Sequence, residues 1–174
     1  MAHPAHAPYG RGVQIRDITD ADLDAFVPIF RGIVADGETY AYPEDLTDAQ
    51  IRSRWFEGPP GRTVVAVDDD GTLLGSAKMG PNRPGRGSHV GTASFMVGPA
   101  ARGKGVGRAL AEDMVEWHRR EGFASIQFNA VVETNTAAVR LWQDLGFEVL
   151  ATVPAAFESR THGRVGLHVM LLEL

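Results

Sequence analysis

Residues 95–110 read FMVGPAARGKGVGRAL, and no other stretch of the chain is as informative. A short apolar run leads into a loop over 102–108 that holds three glycines and three cations, and an amphipathic helix follows directly. Glycines let consecutive main-chain N–H groups face one ligand, and the helix N-terminus adds unpaired donors. The cations are Arg102, Lys104 and Arg108. The stretch therefore predicts a strand–loop–helix unit that binds phosphate groups.

Two common phosphate-binding loops fit this stretch poorly. Residues 98–105 keep the Walker A spacing, but Gly105 stands where a Ser or Thr hydroxyl should bind magnesium. The dinucleotide pattern G-x-G-x-x-G fails as well, because Arg108 or Leu110 falls on its third glycine. A glycine-rich turn with solvated charges remains the simplest alternative. The loop residues by themselves leave the phosphate compound unidentified.

Composition excludes several classes of protein. The chain has 174 residues, no cysteine, and 17 Lys and Arg against 22 Asp and Glu. Without cysteine there is no disulfide scaffold, no thiolate metal site and no cysteine nucleophile, and we expect no metal site of another kind. The acidic balance argues against a nucleic-acid or anionic-membrane partner. We expect a flexible arm over 1–12, a single domain over 13–174 and, since no secretory signal or membrane span is apparent, a cytoplasmic location.

Apolar spacing and turn signals predict the element order β-α-α-β-β-β-α-β-α-β-β. This order is that of an α/β domain of the α+β type, with a mixed sheet whose later strands are linked by a β-α-β crossover. The predicted strands cover 13–16, 63–67, 73–79, 90–97, 124–132, 147–153 and 165–172.

Capping signals place the helices between these strands. Gly37 should end the first helix, which begins at Thr19 or Asp20, and Thr47 should start the second through a capping box with Gln50. The third and fourth helices are predicted over 105–121 and 135–145.

The loop pattern resembles motif A of the GCN5-related N-acetyltransferases, the GNAT family. Arg102, Gly105 and Gly107 fill the three defining places of that motif, Arg/Gln-x-x-Gly-x-Gly/Ala. Residues 13–19 resemble the first strand and helix start of the family, and 135–147 resemble its motif B. The resemblance covers 13–172 and implies the GNAT fold, in which the two central parallel strands splay apart.

The resemblance also implies acetyl-CoA as the cofactor. In such proteins acetyl-CoA lies between the parallel strands, here 90–97 and 124–132, with its diphosphate on main-chain amides at 103–108. The thioester arm would pair with main chain at 95–97, and its carbonyl would lie near the amide of Met96 or Val97. The amine would attack directly, in agreement with the absence of cysteine. The implied cofactor-binding residues are Phe95, Met96, Val97, Arg102, Gly103, Lys104, Gly105, Val106, Gly107, Arg108, Asn135, Ala138 and Trp142.

The groups that would move protons are less clear from the sequence. Trp142 stands where many family members have a tyrosine that serves as general acid, and an indole N–H is a very poor acid. His89 and Glu133 are the candidate bases, while Asn129 and Asn135 would orient the amine or a water.

The other histidines are not assigned a role in the reaction. We expect His118 on the exposed side of its helix, and His162 and His168 as surface or strand residues without partners.

The loop over 36–45 is the candidate acceptor wall. It holds two tyrosines and four carboxylates, which suit a cationic amine, although an ordinary solvated turn would look similar. The predicted substrate contacts are Tyr40, Tyr42, Thr92 and Asn129. Residues 129–135, with Ser88 and His89 upstream, resemble a narrower branch that includes the yeast proline-analogue acetyltransferase; Thr92 replaces an asparagine of that branch, so its substrate does not carry over.

The function predicted from the sequence is acetyl-CoA-dependent N-acetylation of a small or amino-acid-like amine. Two alternatives remain open at this point: a non-catalytic domain that senses acetyl-CoA, which Trp142 favours, and an enzyme for protein N-termini or lysines. Homodimers are common in the family, and the final strands are where two copies would pair.

Overall fold

The computed structural model describes residues 12–101 and 103–174. The predicted arm over 1–12 lies outside the described residues, apart from Gly12. Within the described ranges the strands and helices follow the predicted order: β1 (Val13–Asp17), α1 (Leu23–Asp36), α2 (Asp48–Trp55), β2 (Arg62–Asp68), β3 (Leu73–Pro81), β4 (Val90–Val97), α3 (Val106–Arg120), β5 (Ser125–Val132), α4 (Thr136–Asp144), β6 (Glu148–Ser159) and β7 (Gly163–Glu173).

The helix ends are set by the predicted residues. Gly37 ends α1 at φ 68°, in the left-handed region that glycine adopts without strain. Before α2, the hydroxyl of Thr47 accepts from the amide of Gln50 at 3.3 Å, and the side chain of Gln50 accepts from the amide of Thr47 at 2.8 Å. Both capping predictions are confirmed.

One mixed sheet organises the domain, and it contains an opening. Its strand order is β1-β2-β3-β4-β5-β7-β6, and the parallel neighbours are β4 and β5. These two strands pair at Val90 with Ser125 and at Gly91 with Ile126, and their pairing stops there. From Thr92 onward the strands diverge, as the resemblance implies.

Helices cover the two faces of the sheet. Leu110 and Met114 of α3 are fully buried in a core that also contains Trp142 of α4. On the opposite face, Phe26 of α1 and Trp55 of α2 are fully buried in a second core. The opening between β4 and β5 therefore lies between two helical layers. No helix in the described part of the chain has the length and apolar character to cross a membrane.

The prediction for His118 was wrong, because its side chain is fully buried. Its Nδ1 lies 2.8 Å from the carbonyl oxygen of Met114. The imidazole ring occupies the place that a side chain at Gly91 would fill, which is the point where β4 and β5 diverge. Burial lowers the pKa of His118. Because Gly91 has no side chain, β4 leaves room for the ring of His118, which helical spacing alone would place on the surface.

Candidate active site

The opening between β4 and β5 leads into a cavity of about 880 Å³. Its walls come from both helical layers. Gly107 and Trp142 contribute from α3 and α4, while Glu38 and Tyr40 contribute from the loop after α1, and Thr161 from the turn between β6 and β7. The cavity therefore runs through the sheet, so that two compounds can approach each other from opposite faces.

The main chain of β4 has a free edge along this opening. The amide of Gly98 donates to the carbonyl of Leu74, and the amide of Asn82 donates to that of Val90, both at 2.8 Å. Hydrogen-bonded pairs alternate along an antiparallel ladder, so the even-numbered residues of β4 bond to β3. Of the two predicted oxyanion donors, the Met96 amide thus faces β3 and the Val97 amide faces the opening.

Tyr40 bonds to this edge of β4. Its hydroxyl donates to the carbonyl of Phe95 at 2.6 Å and accepts from the amide of Phe95 at 2.8 Å. The ring stacks on that of Tyr42, with 5.6 Å between the ring centroids. Burial raises the pKa of Tyr40, so its hydroxyl stays neutral.

The loop before α3 leaves main-chain donors exposed to a ligand. Gly105 caps α3 at φ 70°, and Gly103 has φ 74°. A Cβ on either residue would point into open space, whereas one on Gly107 would make ordinary contacts with Leu141 at 3.9 Å. Small residues therefore keep the first turn of α3 accessible, and this surface fits a diphosphate. Arg102 lies outside the described residues.

The other two cations of the loop are paired with carboxylates. Lys104 Nζ lies 3.5 Å from Asp68, and Arg108 Nη2 lies 2.8 Å from Asp144. Ion pairs near the surface contribute little to stability, so a phosphate could replace either carboxylate at little cost.

A clasp links two walls of the cavity; we use this name for Glu38, Ser159 and Thr161. The Ser159 hydroxyl donates to the Glu38 carboxylate at 2.6 Å, and the Thr161 amide donates to its other oxygen at 3.0 Å. These bonds, chiefly that from Ser159, hold the pKa of Glu38 below its ordinary value. The amide of Arg160 also donates to the carbonyl of Gly37 at 3.1 Å. The turn between β6 and β7 is thereby fixed to the loop after α1.

The two histidines expected to lack partners both have one. His162 Nδ1 lies 2.8 Å from the Thr161 hydroxyl, and His168 Nδ1 lies 2.8 Å from the Thr152 hydroxyl. That prediction was wrong because the partner of His162 is the adjacent residue of the same turn, and the partner of His168 lies opposite it on the paired strand β6.

Side-chain amides form a hydrogen-bonded cluster at one face of β5. Asn129 donates to Asn82 at 2.7 Å and accepts from Gln127 at 2.9 Å. Gln127 and Asn129 share one face of β5, as strand alternation predicts. Asn135 caps α4 by accepting from the amide of Ala138 at 3.3 Å, and it also lines the cavity.

The two predicted bases do not line the cavity. His89 is exposed and precedes β4, on the far side of the junction from the opening. The Glu133 carboxylate accepts a hydrogen bond from the amide of Gly166 on β7. Both residues stay predictions as bases, and any contact with the reacting amine would have to pass through water.

Most of the predicted contacts do meet at the cavity. Trp142 is buried there, with its ring centroid 4.8 Å from that of Phe95. Three further residues line the cavity that the sequence did not predict: Phe157, Thr161 and Leu167. They lie on the last two strands and the turn between them, where the sequence contains no recognisable motif. The predicted residues that line the cavity are Tyr40, Tyr42, Thr92, Phe95, Val97, Gly107, Asn129, Asn135, Ala138 and Trp142.

This geometry can be compared with that of known proteins. Residues 24–147 match the Acetyltransferase (GNAT) family. The chain belongs to the GNAT family. The prediction from motifs A and B is thereby confirmed, while the narrower resemblance to the yeast branch stays a prediction.

Two curated GNAT relatives illustrate the range of the family. The chain is 37% identical over 103 residues to the N-acetyltransferase aca1 of Schizosaccharomyces pombe, a match covering 59% of this chain and 49% of that protein. It is 32% identical over 144 residues to an L-methionine sulfoximine/L-methionine sulfone acetyltransferase of Salmonella typhimurium, covering 80% and 82%. The chain thus spans about half the length of the first of these relatives.

Solved GNAT structures confirm the fold. A GCN5-related N-acetyltransferase from Kribbella flavida has 64% sequence identity and a TM-score of 0.91, over 94% of this chain and 98% of that one. A phosphinothricin acetyltransferase from Sinorhizobium meliloti, solved in complex with acetyl-CoA, has 26% identity and a TM-score of 0.83, over 94% and 89%.

Proposed function

We propose that this GNAT protein is an acetyl-CoA-dependent N-acetyltransferase whose acceptor is a small, amino-acid-like amine. The clasp is the observation that supports a small acceptor. Because Glu38 is bonded to both Ser159 and Thr161, the clasp would narrow the acceptor side, which favours a small acceptor over a polypeptide. The relatives named for methionine sulfoximine and phosphinothricin support an acceptor of this size.

The residues around the opening fit acetyl-CoA. Main-chain amides at 103–108, apart from that of Lys104, which donates to the carbonyl of Ala101 at 3.0 Å, would hold the diphosphate at the start of α3. The free edge at Val97 would hold the thioester arm. Ala138 and Trp142 would form the side wall. The bound cofactor supplies an activated acetyl thioester.

Charged and amide groups would place the acceptor on the opposite face. Glu38, kept ionised by its lowered pKa, would attract the ammonium group as a charge partner. Asn129, already aligned by Asn82 and Gln127, would bond a polar group of the acceptor. Since Trp142 is no acid, the departing thiolate would leave as the anion or take its proton from water.

An amine panel tests this proposal. The protein is mixed with acetyl-CoA and single amines, and free CoA thiol is followed by its reaction with a chromogenic disulfide. We expect turnover with amino-acid-like amines, and a Glu38→Gln variant should raise the KM of the amine while leaving acetyl-CoA affinity unchanged. Turnover of peptides alone would contradict the small acceptor. Tight acetyl-CoA binding without any turnover would instead support a sensor.

A further inference from the structure

An ammonium group must lose a proton before it attacks a thioester, and two titratable side chains at the clasp end of the cavity accept protons poorly. The pKa of Glu38 is lowered, chiefly by the hydrogen bond from Ser159, so its carboxylate is a weak base. The pKa of Tyr40 is raised by burial, so its hydroxyl keeps its own proton. A base that lies one hydrogen bond behind the cavity wall can still receive the proton through a bridging hydroxyl.

The turn between β6 and β7 holds a base in that position, His162. Thr161 lines the cavity, and its hydroxyl oxygen lies 2.8 Å from Nδ1 of His162. The imidazole side chain is 58% exposed, so it can exchange protons with water. The Thr161 hydroxyl therefore stands between the cavity and a titratable ring that is open to solvent.

The hydrogen bonds of the clasp set the direction of the bond between these two residues. Ser159 donates its hydroxyl proton to Glu38 at 2.6 Å. Its oxygen also accepts from the amides of Thr161 and His162, at 3.3 Å and 3.0 Å, so its bonding capacity is filled. The Thr161 hydroxyl is left as the donor to Nδ1, which assigns the proton of the neutral ring to Nε2. Nδ1 thus carries the electron pair that can take a relayed proton.

Charged groups from both sides of the clasp surround the imidazole. From the loop after α1, Oε2 of Glu38 lies 3.6 Å from Nδ1. On the turn itself, the guanidinium of Arg160 is paired with Glu44 at 2.7 Å. The Glu38 carboxylate is therefore placed to stabilise the imidazolium that forms when the ring takes a proton.

We propose that His162 takes the proton of the acceptor ammonium through the hydroxyl of Thr161. This inference rests on the proposed function and supplies the base for it. The ammonium passes a proton to Oγ1 of Thr161 as that hydroxyl passes its own proton to Nδ1 of His162. The neutral amine then forms the C–N bond, the C–S bond of the thioester breaks, and the nitrogen loses its second proton to water. The imidazolium returns its proton to solvent, which restores the neutral ring.

The pH dependence of kcat, measured with acetyl-CoA and a saturating amine, tests this relay. Wild-type kcat should rise with pH and level off once the imidazole is neutral, since imidazole is the side chain that ordinarily changes charge between about pH 5 and 8. His162→Asn keeps an amide oxygen that can accept from Thr161 but cannot take a proton. We expect it to lower kcat about 100-fold at neutral pH, and its kcat should go on rising until the amine itself becomes neutral.

The chain offers a matched control for this substitution. His168 also has its Nδ1 2.8 Å from a threonine hydroxyl, that of Thr152, and neither of these residues lines the cavity. His168→Asn should therefore keep the wild-type kcat and the wild-type plateau.

Chemical rescue separates proton transfer from a structural role. Added imidazole should restore part of the kcat of His162→Ala, because the site of the missing ring is open to water. It should not restore Thr161→Val, which keeps the ring and lacks the bridging hydroxyl. The urea midpoint and the Kd of acetyl-CoA should stay at their wild-type values in all of these variants.

The outcomes distinguish this inference from the proposed function. If His162→Asn keeps the wild-type kcat and plateau, changes only the KM of the amine, or loses no more activity than His168→Asn, the relay is overturned and the acetyltransferase proposal stands. A fall in the urea midpoint that accounts for the lost activity would also overturn it. If the wild type binds acetyl-CoA and turns over no amine, the proposed function fails and the relay fails with it.

Discussion

Replacing Gly91 by alanine should force a methyl group into the ring of His118. The new Cβ would fall inside van der Waals contact of two ring atoms, with Cγ of His118 only 3.4 Å away. The ring has no free direction, because Trp117 and Phe123 each pack against it with 4.8 Å between ring centroids. Overpacking of this kind costs about 1–3 kcal/mol, and we expect Gly91→Ala at the upper end of that range.

The reasoning is tested by a double-mutant cycle. His118→Ala alone should cost about 2–4 kcal/mol, because it leaves a cavity above the strand. In that background the methyl group at position 91 has space, so adding Gly91→Ala should cost close to nothing. The coupling between the two sites should therefore reach about 1–3 kcal/mol.

Urea unfolding, followed by the fluorescence of Trp117 and the other tryptophans, measures each free energy of unfolding. Gly32→Ala serves as the control, since no atom lies within 4 Å of its new Cβ, and it should stabilise α1 by about 0.5–1 kcal/mol. Additive costs for Gly91→Ala and His118→Ala would refute the packing of the ring on the strand.

Three further predictions follow from other contacts. Gly107→Ala should lower acetyl-CoA affinity at least tenfold in calorimetry without lowering the urea midpoint, because its Cβ meets the protein at an ordinary 3.9 Å. Burial lowers the pKa of His118, so the neutral ring should contribute stability above about pH 6.5, and this contribution should be lost as the pH falls. NMR titration of the ring tests the direction of the shift. The variant His118→Gln should flatten the pH dependence of the free energy of unfolding by up to about 1.4 kcal/mol per pH unit. Ser159→Ala should raise the acceptor KM severalfold and leave the Kd of acetyl-CoA unchanged, since Ser159 bonds Glu38 away from the phosphate loop.

The fold and the strand–loop–helix unit around Gly105 could be predicted because their signals are local. Gly105 at the N-cap of α3, the capping box of Thr47 and Gln50, and the alternation of Gln127 and Asn129 each act within a few residues of the chain. Such patterns need no knowledge of the tertiary structure, and the structure confirms them.

The clasp could not be predicted, because long-range contacts build it. Glu38 and Ser159 are separated by 121 residues, and no spacing in the sequence links them. His118 shows the same limit. Its position in the helical pattern predicts an exposed polar residue, but its burial depends on the absence of a side chain at Gly91, which lies on a different element, β4. Tyr40 was recognised as an acceptor candidate, but its bonds to Phe95 follow only from the register of β4.

The narrow junction between β4 and β5 has a mechanical consequence. Within the described sheet, two residue pairs join the blocks β1–β4 and β5–β7, namely Val90 with Ser125 and Gly91 with Ile126. Outside the sheet ladder, the clasp and the bond between Asn129 and Asn82 add a small number of contacts. Cooperative units of a protein separate where few bonds cross between them. We therefore expect native-state hydrogen exchange to give different free energies of opening for the two blocks. A ligand that spans the gap should make them unfold together as one cooperative unit.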